Sequence, residues 1–193
     1  NVRRTTEESI EELLPLVDIA KGKGRQVTLT IGNAFGCPFE GDIPFSKILQ
    51  MVDTFVERGV DQVTLADTTG MANPKQVREK VEAFFAAYPK VKLGLHFHNT
   101  RGLGLANVYA GYQAGVRSFD SSIGGLGGCP FAPTAVGNVC TEDMVHLFQQ
   151  IGEEIPIDLE QLVDTAKWVE KKVNHRLDGL VMKAGPAHTL IKS

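Results

Sequence analysis

Asp61-Gln62-Val63-Thr64-Leu65-Ala66, then Asn73-Pro74 opening a helix to about Ala87, then Val91-Lys92-Leu93-Gly94-Leu95-His96: this strand, helix and strand decide the fold. Asn73 is suited to an N-cap and Pro74 to the first helical position, where its missing N–H costs nothing. Two strands joined through a helix can pair in parallel, which a short hairpin connection does not allow. The pattern continues in both directions. Upstream lies a β-rich run, Val27 to Ile31, followed by a helix for which Pro44 is suited to N1 and Gly59 to C′. Before it, Thr5 and Glu8 form a capping-box pattern that opens a helix to about Lys21, despite Pro15. Downstream come a helix from Leu103 to Ala114 stopped by Gly115, and a fourth strand from Arg117 to Ser121. Thr141 and Asp158 are placed to cap two further helices, and Glu142 and Asp143 suit the dipole of the first. The tail from Asn174 to Ser193 gives no clear pattern. A helix followed by four strand–loop–helix units predicts a parallel α/β sheet. No Pro-, Gly- or Ser-rich linker divides it, so one domain over 1–193 is expected.

The composition is that of an ordinary globular chain. It has 193 residues, of which 42% are hydrophobic, and a formal net charge of −3. That balance offers no basic patch for nucleic acid. Lys167, Lys171, Lys172 and Arg176 read as the solvated face of a helix. No apolar run is long enough to span a membrane, and the N-terminal residues lack a signal-peptide segment. Three cysteines, Cys37, Cys129 and Cys140, are too few and too odd in number for a disulfide framework, and point to a reducing compartment. The chain opens without methionine, and is expected to begin partway through a gene product.

The residue types that carry chemistry gather at the ends of the strands. His96 and His98 are two apart, so on a strand they project to one side. Two neutral imidazoles on one face make half of a divalent-metal site, and ordinary hydrogen-bonded histidines are the competing reading. Asn138 offers a hard oxygen ligand or simply occupies a turn. Asp67 ends the second strand, where a carboxylate serves as acid or base, or closes a turn. Gly124-Gly125-Leu126-Gly127-Gly128-Cys129-Pro130-Phe131 leads four glycines to a cysteine. Cys129 is thus presented as an acid/base or nucleophile, and a small filler at a tight turn needs no such run of glycines. The loop carries neither the lysine of a Walker pattern nor G-x-G-x-x-G spacing. Gly36-Cys37-Pro38-Phe39 echoes its end after the first strand, and Cys37 is secondary to Cys129. Cys140 is expected to pack beside the start of a helix.

These residues resemble the hydroxymethylglutaryl-CoA lyase family. The resemblance rests on Ser121 to Phe131 with Gly137-Asn138 and Thr141-Glu142-Asp143 after it, on His96-Phe97-His98, on Gly36 to Gly41 and on Ala66 to Gly70. It runs over nearly the whole chain. The histidine pair is shared with the metal-dependent TIM-barrel lyases and the isopropylmalate synthases, which carry an arginine-containing loop at Gly128-Cys129-Pro130. The resemblance implies the C-terminal half, four βα units, of a TIM (β/α)8 barrel. It implies Mg2+ or Mn2+ bound by His96, His98 and Asn138, a mobile loop carrying Cys129 as acid/base, and Asp67 inside the barrel near a reacting hydroxyl. The implied reaction is retro-aldol cleavage of 3-hydroxy-3-methylglutaryl-CoA, an acyl-CoA, to acetoacetate and acetyl-CoA. Citramalyl-CoA is an alternative substrate, and a non-catalytic metal-binding half-barrel that needs a partner half is a further alternative. A homodimer in the complete protein, and a bacterial cytoplasm or mitochondrial matrix, are also implied. The chain departs from the family at Asn99, where aspartate is common, at Arg101, where an aromatic is common, and at Thr134, where glycine is usual. The family's arginine–aspartate pair at the end of its first strand, which supplies a metal ligand and an enolate-stabilising cation, has no match here.

Overall fold

A computed structural model of the chain describes residues 3–128 and 136–188. Helix α1 (Thr6–Gly22) opens on the expected capping box, with the Thr5 hydroxyl accepting from the Glu8 N–H at 3.1 Å and the Glu8 carboxylate accepting from the Thr5 N–H at 2.9 Å. Three strand–helix units follow: β1 (Thr28–Ile31) and α2 (Phe45–Val56), β2 (Gln62–Asp67) and α3 (Pro74–Ala87), β3 (Lys92–Phe97) and α4 (Gly104–Gln113). Strand β4 (Ser118–Asp120) leads into a 3-10 turn at Ile123–Gly125, and then come α5 (Thr141–Gln150), α6 (Leu159–Val173) and the short α7 (Val181–Ala184). Each strand lies within a residue or two of its predicted span.

Three caps differ from expectation. Gly59 stands two residues past Glu57, the C-cap of α2, rather than one. Pro44 occupies the N-cap of α2 rather than N1. The N-cap of α5 is Cys140, and Thr141 is the first helical residue, its hydroxyl paired instead with that of Ser121 at 2.9 Å. Asn73 and Asp158 cap as predicted, accepting from the N–H of Gln76 and Gln161.

The strands form one parallel sheet in the order β1-β2-β3-β4. Strand order that follows sequence order, joined by crossovers of the usual right hand, puts every connecting helix on one side. That is the winding of a βα barrel, and it differs from doubly wound sheets, whose order reverses and whose helices cover both sides. The pleat divides the residues accordingly. Ile31, Leu65, Leu95 and Phe119 share one row on the helix side, and Val63 and Leu93 another. They bury against Ile48, Val52 and Phe55 of α2, Val77, Val81 and Phe84 of α3, and Val108 of α4. Each such side chain fully withdrawn from water contributes roughly 1.5–3 kcal/mol, so a charge placed at Val63 or Val81 would break the layer.

The opposite side carries polar and small residues in rows: Thr28, Gln62 and Lys92; then Thr30, Thr64, Gly94 and Ser118; then Ala66, His96 and Asp120. Gly94 is a close approach. A Cβ there would sit 2.7 Å from the Gln62 amide nitrogen, because that side chain crosses β3 to donate to Ser118 Oγ at 3.3 Å on β4. Such a layered polar face, with helices on the other side only, is the face a closed barrel turns inward.

A smaller core forms beyond the sheet. Val145 of α5 packs with Leu159, Val163 and Ala166 of α6 and with Leu177 and Met182 of the tail. Asp143 ties the tail down, its carboxylate accepting from the N–H groups of Leu180 and Val181.

Candidate metal centre at the end of strand β3

The ends of β3 and β4 are joined by a segment from far along the chain. The N–H of Asn99 donates to Gly137 O at 3.1 Å, and the N–H of Val139 donates to Phe97 O at 3.0 Å, which sets Asn138 antiparallel beside His98. On its other side this segment meets Ser122: the Ser122 N–H donates to Val139 O at 3.1 Å, and the Thr141 N–H donates to Ser122 O at 2.9 Å. Asn138 is thereby wedged between the histidine strand and the base of the glycine run. Gly137 permits it, since a Cβ there would fall 1.6 Å from Gly125 O.

The three candidate ligands are therefore neighbours. The rings of His96 and His98 lie 5.2 Å apart between centroids. His98 is buried, and its Nδ1 is 3.0 Å from Val136 O. A carbonyl can only accept, so that contact puts a proton on Nδ1, and in the neutral tautomer Nε2 then holds the lone pair. The Asn138 amide is oriented in the same way: its Nδ2 donates to Leu126 O at 2.8 Å, which turns Oδ1 the other way. That oxygen is buried and, among the described residues, accepts no hydrogen bond of ordinary geometry. Burial holds His96 below the ordinary histidine value, and the neighbouring His98 lowers it further, while Asp120 and Asn138 pull it back. Two imidazoles and an orphaned amide oxygen on neighbouring residues fit a divalent cation, because an unpaired buried acceptor is otherwise costly.

Asp67 is not on this face. In the register it pairs with Phe97, whereas Ala66 pairs with His96, so the pleat directs Asp67 to the helix side with Leu65. Its carboxylate is fully buried and accepts from the N–H of Met71 at 2.7 Å and of Ala72 at 3.1 Å. Burial raises it above the ordinary aspartate value; the two N–H bonds, and then His98 and Arg101, act the other way. Arg101 closes the same loop from outside, donating through Nη1 to Thr69 O at 2.8 Å and Gly70 O at 3.1 Å.

Cys129, the expected acid/base, lies outside the described residues. Cys37 is buried, and its N–H and carbonyl are exchanged with Gly41. Cys140 packs at the start of α5 as expected, and burial pushes its thiol far above the ordinary range. Sequence reasoning missed two things. Asp120 lies beside His96, with Oδ2 3.6 Å from Nδ1. Glu142, read as a dipole partner, is fully buried and accepts from the Gly124 N–H at 3.0 Å, at the root of the glycine run. Strand alternation could have flagged Asp120, but only with the register in hand.

The family model described as HMGL-like matches residues 1–169. The chain belongs to the HMGL-like family. It is 42% identical to the (R)-citramalyl-CoA lyase of Chloroflexus aurantiacus over 193 residues, all of this chain and 61% of that protein. It is 38% identical to the hydroxymethylglutaryl-CoA lyase YngG of Bacillus subtilis over 177 residues, 92% of this chain and 59% of that one. Among solved structures, an HMG-CoA lyase from Acinetobacter baumannii in complex with coenzyme A and 3-methylmalate superposes with a TM-score of 0.94 at 43% identity, covering 100% of this chain and 63% of that chain. The chain thus spans about three-fifths of the length of the relatives it matches. Its fold is a parallel α/β arrangement of four strands, matching part of the TIM-barrel lyases. Among the described residues, no helix is long and apolar enough to cross a membrane.

Proposed function

We propose that the chain forms the metal-holding part of an acyl-CoA lyase that cleaves 3-hydroxy-3-methylglutaryl-CoA to acetoacetate and acetyl-CoA. The observation that carries this reading is the orphaned Asn138 Oδ1 beside the free Nε2 of His98 and the ring of His96. His96, His98 and Asn138 would hold Mg2+ or Mn2+. Once bound, such an ion lowers the pKa of a coordinated hydroxyl and polarises the carbonyl that forms from it.

The chemistry asked of the substrate is a retro-aldol step. The tertiary hydroxyl gives up its proton and becomes the ketone oxygen of acetoacetate. The bond to the carbon next to the thioester breaks, and its electron pair stays on that carbon as the enolate of acetyl-CoA. The enolate then takes a proton, and Cys129 is the residue we assign to move it. Asp67 keeps the loop after β2 closed beside His98, which makes it a positioning group in this scheme.

The same bond scission applied to citramalyl-CoA would give pyruvate in place of acetoacetate. The match to the Chloroflexus protein over the entire chain favours that second reading of the substrate. The test is an assay of both thioesters with Mg2+, using the full-length polypeptide that carries this chain and identifying the oxoacid released. Acetoacetate is expected from the first thioester, with Cys129→Ser slowing release far more than Cys37→Ser. Release of pyruvate alone would move the assignment to citramalyl-CoA. No oxoacid from either thioester, or equal losses in the two cysteine variants, would overturn the scheme.

A further inference from the structure

We infer that Asp120 is a positioning residue for His96, holding the imidazole so that its Nε2 faces the metal. The inference rests on the proposed metal site. Asp120 stands directly across from His96 in the β3–β4 register, on the same open face of the sheet. Its Oδ2 is 3.6 Å from His96 Nδ1. The Asp120 side chain is 56% exposed, so a small rotation brings the carboxylate into hydrogen-bond range without disturbing packing.

His98 shows what this contact accomplishes. Its Nδ1 is held by Val136 O, which frees Nε2. Among the described residues His96 has no backbone carbonyl in that role, and the acidic group beside its Nδ1 comes from the neighbouring strand. The two imidazoles are thus oriented by different devices to the same end: a proton on Nδ1 and a lone pair on Nε2. A metal-binding histidine commonly needs such a partner to fix its tautomer and orientation and to raise its basicity. A carboxylate orients it more strongly than a neutral acceptor, because it also favours the charge the ring acquires on binding a cation.

The experiment is a titration of the full-length polypeptide with Mn2+, read by electron paramagnetic resonance of the free ion, with unfolding of the metal-free variants as a check on folding. Asp120→Ala is expected to weaken Mn2+ by about 10–100-fold, the usual loss when an outer partner of a ligand is removed. Asp120→Asn, which keeps an acceptor oxygen, is expected to recover part of that loss. Since Asp120 acts through His96, adding Asp120→Ala to His96→Ala is expected to cost nothing more. Wild-type affinity in Asp120→Ala would overturn the inference. So would a loss that adds in full to that of His96→Ala, because Asp120 would then bind the ion itself. If His96→Ala and His98→Ala both leave Mn2+ affinity unchanged, the metal site falls first, and the inference with it.

Discussion

Strands β2 and β3 run side by side and each has an ionisable residue at or just past its end, yet the two ends do different things. At the end of β2, Asp67 is buried on the helix side, with both oxygens taken up by backbone N–H groups. At the end of β3, His96 and His98 lie on the side away from the helices, and the neighbouring Asn138 Oδ1 has no partner among the described residues. Only one step of the pleat separates the two outcomes, since Ala66 and not Asp67 is the register partner of His96. A polar residue at a strand end becomes a loop anchor or a site ligand according to which face its phase selects. A fully satisfied carboxylate has little left to offer a ligand, whereas a buried oxygen without a partner is held at a cost that a bound cation would relieve.

The comparison is broken most severely by removing one residue from each end. His98→Ala is expected to weaken Mn2+ by at least the roughly 100-fold that losing an outer partner can cost, with little change in unfolding. Asp67→Ala is expected to do the reverse. It orphans the N–H groups of Met71 and Ala72, at about 1–3 kcal/mol for each that stays buried, while Mn2+ affinity changes little. Titration and denaturant unfolding of both variants check this together. Equal effects of the two variants on both measurements would erase the distinction between the strand ends. A smaller effect sharpens it: Arg101→Met removes two part-buried hydrogen bonds to the Thr69 and Gly70 carbonyls and should cost about 0.5–1.5 kcal/mol of stability.

Much of this was legible in the sequence, for identifiable reasons. The strands were, because β-rich runs alternate with capped helices, and the caps at Thr5, Asn73 and Asp158 behave as their local chemistry requires. Local chemistry misplaced Thr141, whose hydroxyl is drawn to Ser121, a residue distant in the chain and adjacent in space. The histidine pair was legible because its partners share one strand. Asp120 was not, because its relation to His96 exists only across the register of two strands. The unpatterned tail hid a second small core for a similar reason. Leu177 and Met182 find their partners on α5 and α6, so no period within the tail announces them.

Glu142 extends the anchor logic of Asp67 to the root of the glycine run, and pH supplies its test. Its Oε2 accepts from the Gly124 N–H, and its Oε1 is buried without a partner among the described residues. Burial raises its carboxyl above the ordinary glutamate value of 4.5, chiefly because the charged form has lost its water. A group whose folded pKa is raised binds its proton more tightly when folded. Its contribution to stability is therefore fully present below about pH 4.5 and is lost as pH rises through the higher folded value. Glu142→Gln keeps an oxygen for Gly124 and removes the charge. The fall in unfolding free energy between pH 4.5 and neutrality should be shallower in this variant than in the wild type, with Mn2+ affinity nearly unchanged. Denaturant unfolding across that range decides it. An equally steep fall in the variant would show that the buried carboxylate at the root of the glycine run titrates as if it were exposed, and the parallel with Asp67 would fail.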